Sequence, residues 1–113
     1  MEGPAAGQEI FVGYIQKIVL KDINMRIKEG FVLRTMLGEH VVVGEGLAQV
    51  NFNRLLSLNS TAAYLWESVV GKDFTVEDLA QLILDKYDVS QEQALADSDS
   101  ITKTWIEQGV LLP

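Results

Sequence analysis

Between Phe52 and Val70 the chain changes period without room for a loop. Phe52, Arg54, Leu56 and Leu58 alternate with Asn53, Leu55 and Ser57, the period of two that marks a β-strand. Asn59, Ser60 and Thr61 follow, three residue types that start helices well. Ala62, Leu65, Trp66 and Val69 then fall at i, i+3, i+4 and i+7, one face of a helix. The spacing predicts a strand that feeds directly into a helix. Asn59 is its expected N-cap, accepting an amide that has no helical carbonyl to reach.

The flanking segments extend this pattern in both directions. Phe31 to Met36 and His40 to Val43 are β-rich runs separated by Leu37-Gly38-Glu39, which predicts a hairpin. His40 reads as a turn or strand residue with an exposed ring, not as a ligand or base. Gly44-Glu45-Gly46 opens an expected loop to about Asn51. A glycine pair cradles phosphate before a helix N-terminus; here the third strand, Phe52 to Leu58, follows instead. Beyond the first helix, Gly71 is a stop signal. Thr75 caps a second helix whose core face is Val76, Leu79, Ala80, Ile83 and Tyr87, with Glu77 and Asp78 at the positive end of its dipole. Ser90-Gln91-Glu92-Gln93 has the form of a capping box and begins a third helix ending near Gln108-Gly109. Val110-Leu111-Leu112 is an apolar tail expected to pack back on the core, as a strand or otherwise. The predicted fold class is α+β: a winged-helix-like, three-stranded antiparallel sheet followed by three helices.

A chain of 113 residues supplies one domain with a modest core. The apolar content of 48% and charged content of 22% are those of a globular protein. No apolar run approaches the roughly 20 residues that span a bilayer, and the N-terminus lacks the pattern of a signal peptide; a cytoplasmic protein without membrane contact is expected. With no cysteine and a single histidine, disulfides, thiolate metal sites and sites needing two histidines are excluded. Sixteen acids against nine bases, a net charge of −7, argue against nucleic acid, whose binding relies on cations that displace phosphate counterions.

No catalytic set emerges, so the expectation is a protein that is not an enzyme and takes no cofactor. Asp97 and Asp99 lie two apart on a predicted helix, so their side chains diverge by roughly 200° and cannot chelate one ion; no metal site is predicted. The serines have no second histidine or obvious lysine partner to activate them. In the third helix, Ala94, Ile101 and Trp105 form one stripe and Leu95, Thr102 and Ile106 an adjacent one, with Ser98 between. Ile101, Trp105 and Ile106 also fit a plain core role.

The order FNRLLSLNSTAAYLWE resembles the central signature of the PqqD family, pyrroloquinoline quinone biosynthesis protein D and its relatives. There a strand ending in leucine is followed by Asn-x-Thr/Ser, a small residue and an aromatic-Leu-Trp. The resemblance extends from Met25 to Leu112, and Met25-Arg26-Ile27-Lys28-Glu29-Gly30 is similar to the usual start of such a chain. Residues 1–24 are then expected to be an N-terminal extension or a mis-called start, and residues 25–113 the peptide-recognition domain. Lys21-Asp22 can be encoded by a purine-rich run at the right distance from Met25 for a ribosome-binding sequence. Met1 to Gln8 should be loose; Glu9 to Ile23 fits a strand and a helix equally.

The resemblance implies a non-enzymatic chaperone. It would capture a ribosomally made precursor (leader) peptide and present it to a radical S-adenosylmethionine (SAM) enzyme. In the family the peptide adds as an extra strand to the third strand and lies against the third helix, which is β-augmentation. The matching positions are Arg54, Leu55, Leu56, Ser57 and Leu58, facing Asp97, Ser98, Ile101 and Trp105. The chain departs from the family at Ser98 and Thr102, where relatives usually carry an aliphatic residue and a leucine. Two alternatives stand beside this reading. One is a winged-helix DNA-binding regulator, disfavoured by a third helix with four acids and one base between Gln91 and Gln108. The other is a homodimeric assembly domain that uses the same edge without a peptide ligand.

Overall fold

Leu37 and Gly38 turn the hairpin, both with positive φ (53° and 82°), the backbone of a two-residue type I′ connection whose twist suits the flanking strands. The computed structural model describes residues 24–112 except Asn53; the expectations for Met1 to Ile23 lie outside the described residues. The hairpin strands, β2 (Phe31–Met36) and β3 (Glu39–Gly44), pair from Phe31↔Gly44 to Met36↔Glu39. β4 (Leu56–Leu58) pairs with β3 in the register His40↔Leu58, Val41↔Ser57 and Val42↔Leu56. The antiparallel sheet has the order β2-β3-β4. Three helices follow: α2 (Ser60–Val69), α3 (Val76–Lys86) and α4 (Gln91–Glu107). The expected α+β architecture is therefore present.

Three additions or corrections separate the structure from the sequence reading. A two-stranded ribbon joins β1 (Arg26–Ile27) to β5 (Leu111–Leu112), which gives the apolar tail its strand. The expected loop after Gly44 contains a short helix, α1 (Leu47–Asn51). It lies so close to β3 that a Cβ on Gly44 would meet the Ala48 carbonyl oxygen at 2.9 Å. Leu47 and Val50 point outward, 88% and 77% exposed, so no apolar face advertises this turn. The third strand is also shorter than expected. Phe52 is the C-cap of α1 with φ −134° and ψ 83°, and Arg54 sits in a bend, leaving three residues for β4.

The caps operate largely as the residue types require. The Asn59 side chain accepts from the Ala62 amide at 2.8 Å. Thr75 and Asp78 cap reciprocally, at 3.1 and 2.9 Å. Ser90 Oγ accepts from the Gln93 amide at 3.0 Å, but the Gln93 side chain donates to Asp97 at 2.8 Å and does not complete the expected box. Each such cap contributes on the order of 1 kcal/mol.

The core lies where α2, α3 and α4 meet the ribbon and the sheet. Ala62, Leu65, Trp66 and Val69 of α2 are buried, as are Val76, Leu79, Ala80 and Ile83 of α3, while Tyr87 packs at the margin. Trp105 stands edge-on to Trp66 (5.3 Å between ring centres) and to Phe74 (6.4 Å), an arrangement favoured by aromatic quadrupoles. Met25 exchanges backbone hydrogen bonds with Phe74 at 2.7 and 2.8 Å, locking the ribbon to the turn between α2 and α3. Ile106 departs from its core reading and is 46% exposed.

Candidate functional site

The hairpin determines which backbone groups of β4 are free. A two-residue turn makes its flanking pair, Met36↔Glu39, a pair that exchanges both hydrogen bonds. Along β3 the bonding direction alternates, so Glu39 and Val41 face β2 while His40 and Val42 face β4. Leu58 and Leu56, opposite His40 and Val42, therefore spend their amides and carbonyls on β3. Ser57 points its N–H and C=O the other way, off the edge of the sheet. Its side chain is exposed while Leu56 and Leu58 are buried. The open edge within β4 is thus one residue's donor and acceptor, with exposed Leu55 and bent Arg54 leading into it.

The second expected wall is partly closed. Asp97 and Ile101 are half-buried on α4, and Ile101 packs against the core. Ser98 is fully buried and Trp105 is 1% exposed. Neither side chain reaches solvent here, because α4 turns the Ala94, Ser98, Thr102 and Trp105 stripe inward. Trp105 is held by its two aromatic neighbours. Of the two aspartates, Asp97 accepts from Gln93 and Asp99 pairs with Lys103 at 3.0 Å. His40 lies in β3 with Nδ1 3.3 Å from Thr35 Oγ1. Among the described residues no cluster of three or more His, Asp or Glu is placed to hold a metal ion.

The segment before β4 and the end of α4 are tied together by Arg54. Its guanidinium donates to Gln108 Oε1 from Nε and Nη2 (3.3 and 3.2 Å) and to the Gln108 carbonyl (3.2 Å). It also lies 4.3 Å above the centre of the Phe52 ring, a cation–π contact. Beside it is an open cavity of about 310 Å³ lined by Lys28, Phe31, Leu47, Phe52, Arg54 and Gln108, among others. A second hollow of about 220 Å³ lies on the β3 side, between Val43, Gln49, Arg54 and Leu55. The sequence reading did not include Lys28, Phe31, Leu47, Phe52 or Gln108 in the site. The available signal was Phe52, which begins the alternating run two residues before Arg54; the others come together only through α1, the hairpin and the ribbon.

Comparison with known proteins bears on the fold as a whole. The family model for Coenzyme PQQ synthesis protein D (PqqD) matches residues 39–111. No curated protein sequence gives a significant match. Lasso peptide synthetase B1 complexed with the leader peptide has a similar structure, with a TM-score of 0.60 and 21% identity, covering 79% of this chain and 98% of that one. The PqqD truncation of Methylobacterium extorquens PqqCD has a TM-score of 0.64 and 21% identity, covering 82% of this chain and 93% of that one. That truncation represents a functional, stand-alone recognition element for ribosomally synthesized and post-translationally modified peptides. At these identities the structural likeness carries the fold. The sequence model runs from the hairpin's second strand through all three large helices into β5, well over half of the chain, and the chain belongs to the PqqD family.

Proposed function

We propose that this protein is a non-enzymatic peptide-recognition module. It captures the leader region of a ribosomally made precursor peptide by strand addition at β4 and presents it to a modifying enzyme, a radical SAM enzyme. The reading is carried by one observation: within a PqqD fold, β4 is an edge strand whose Ser57 amide and carbonyl face away from the sheet. An unpaired edge is a template for another strand, and backbone pairing supplies affinity while neighbouring pockets supply selectivity. This reading assigns the bound strand Leu55 and half-buried Ile101 as apolar contacts and Asp97 as a polar one. A DNA-binding role finds no support on α4, whose one base, Lys103, is paired to Asp99.

The test uses 12-residue peptides selected from a random displayed library against the parent protein. Proline removes an N–H donor and is tolerated on edges. Ser57→Pro should keep the thermal transition near that of the parent and weaken the selected peptides by one hydrogen bond, about two- to tenfold. Leu56→Pro, whose amide serves β3, should disrupt the sheet. A folded Ser57→Pro protein that binds these peptides with unchanged affinity contradicts strand addition.

A further inference from the structure

Four cations meet no carboxylate among the described residues, Lys28, Arg54, Lys72 and Lys86; Lys86 lies over the Tyr64 ring, and Lys28 and Arg54 share one cavity. Arg26 pairs with Asp73 at 2.9 Å, Arg34 with Glu45, and Lys103 with Asp99. Among the described residues Arg54 meets no carboxylate; its hydrogen bonds end on neutral Gln108. Lys28 has no carboxylate within pairing distance among the described residues. Both line the cavity of about 310 Å³, with Glu29 as the opposing charge on its wall. A chain with net charge −7 has acids enough to neutralise these two cations, and none of the described acids pairs with them.

The same cavity has an apolar side. Phe31 and Phe52 meet edge-to-face at 5.0 Å, and Ala48 and the 88% exposed Leu47 continue the wall. The Arg54 guanidinium also lies over the Phe52 ring. A guanidinium fixed in this way has lost part of its conformational freedom before a ligand arrives. It still carries donors beyond the two nitrogens that Gln108 occupies. Arg54 is three residues from Ser57, about 10 Å along an extended chain, so a peptide strand on the β4 edge can also reach this cavity.

We propose that the Lys28–Arg54 cavity is a specificity pocket for peptides that carry an acidic side chain next to a large apolar one. The carboxylate bonds Arg54 and Lys28, and the apolar side chain lies on Phe31, Phe52 and Leu47. The pocket rests on the peptide-recognition reading above and adds the ligand's chemistry to it. A carboxylate that accepts from the remaining Arg54 nitrogen, Nη1, and from Lys28 forms charge-assisted bonds, which distinguishes it from the neutral amide of the same shape.

The experiment is the same displayed 12-residue library, selected in parallel on the parent and on a Lys28→Gln/Arg54→Gln variant. Lys28→Gln alone serves as a second variant that keeps the Arg54–Gln108 tie intact. Parent selections should be enriched in an acidic residue adjacent to Phe, Tyr, Trp, Leu, Ile or Met; selections on the double variant should lose the acid. For a synthesised parent-selected peptide, changing that acid to its amide should weaken binding to the parent about tenfold. The loss should be smaller on Lys28→Gln and nearly absent on the double variant. No acidic preference on the parent, or a preference that both variants retain, overturns the pocket. Sensitivity of the same peptides to Ser57→Pro separates the two claims: sensitivity without an acidic preference leaves strand addition standing and removes only the pocket. Failure to enrich any peptide on the parent contradicts both.

Discussion

Trp105→Ala should lower the stability of the domain by about 3–5 kcal/mol, enough to remove most of a small domain's margin. The indole is 1% exposed and stands edge-on to both Trp66 and Phe74. The Gly109–Val110 turn closes onto its carbonyl, with the Val110 amide 3.1 Å away. Truncation would leave a cavity at the junction of α2, α4 and the ribbon, where neighbours from three elements cannot all collapse. The thermal midpoint should fall by about 15–30 °C for a domain of this size. The alternative, in which Trp105 lines the peptide groove, predicts a variant that melts near the parent and binds peptides poorly. Thermal unfolding followed by circular dichroism separates the two. A Trp105→Ala protein within a few degrees of the parent would show that this side chain is not part of the core.

Ser98→Arg should be comparably severe, and for a different reason. Ser98 and Thr102 are both fully buried, and among the described residues neither hydroxyl oxygen has a hydrogen-bond partner. A guanidinium at position 98 would enter an apolar stripe on the inner side of α4 with no counter-charge. Breaking or omitting the partner of a buried charge costs about 3–5 kcal/mol. The side chain must therefore unfold the domain or force α4 away from α3. The opposite change gives the control. Thr102→Val keeps the shape and removes an unsatisfied hydroxyl, so it should stabilise by about 1 kcal/mol. Denaturant titration of both variants measures these shifts. Ser98→Arg with a normal midpoint would mean that α4 presents Ser98 to solvent, as a groove floor would require.

The same residue shows where sequence reasoning reached and where it stopped. Helix starts were legible because capping is local: Asn59, Thr75 and Ser90 each satisfy an amide within three residues. The inward faces of α2 and α3 were legible because a period of 3.6 reports one apolar stripe. On α4 the stripe is broken by Ser98 and Thr102, and a small polar residue within an apolar face reads equally as floor or as core. Long-range packing decides it, here Ala94, Ser98, Thr102 and Trp105 turning inward together. Ile106, apolar but 46% exposed, is the converse case.

The approach to β4 was hidden for another reason. The alternation from Phe52 to Leu58 is genuine in the residue types, yet α1 consumes the chain up to Asn51 and Phe52 must cap it. Leu47 and Val50 of α1 carry their side chains outward, so neither period nor capping marks this helix. The closeness of α1 to Gly44 and Gly30 depends on the pairing of β2 with β3 and of β1 with β5, the second of which no short window contains. The Lys28–Arg54 cavity follows from those same pairings, which is why none of its residues other than Arg54 had been placed in the site. Among the described residues, no helix is long and apolar enough to cross a membrane.

The central claim is that a peptide strand pairs with the outer edge of β4, and amide hydrogen exchange at one residue addresses it directly. In the free protein the Ser57 N–H faces away from the sheet and should exchange rapidly. The amides of Leu56 and Leu58, bonded to β3, should be protected. Saturation with the tightest displayed 12-residue peptide should bring Ser57 into the protected class while leaving the protection of its two neighbours in place. Rapid exchange at Ser57 in the fully bound protein would contradict strand addition at this edge.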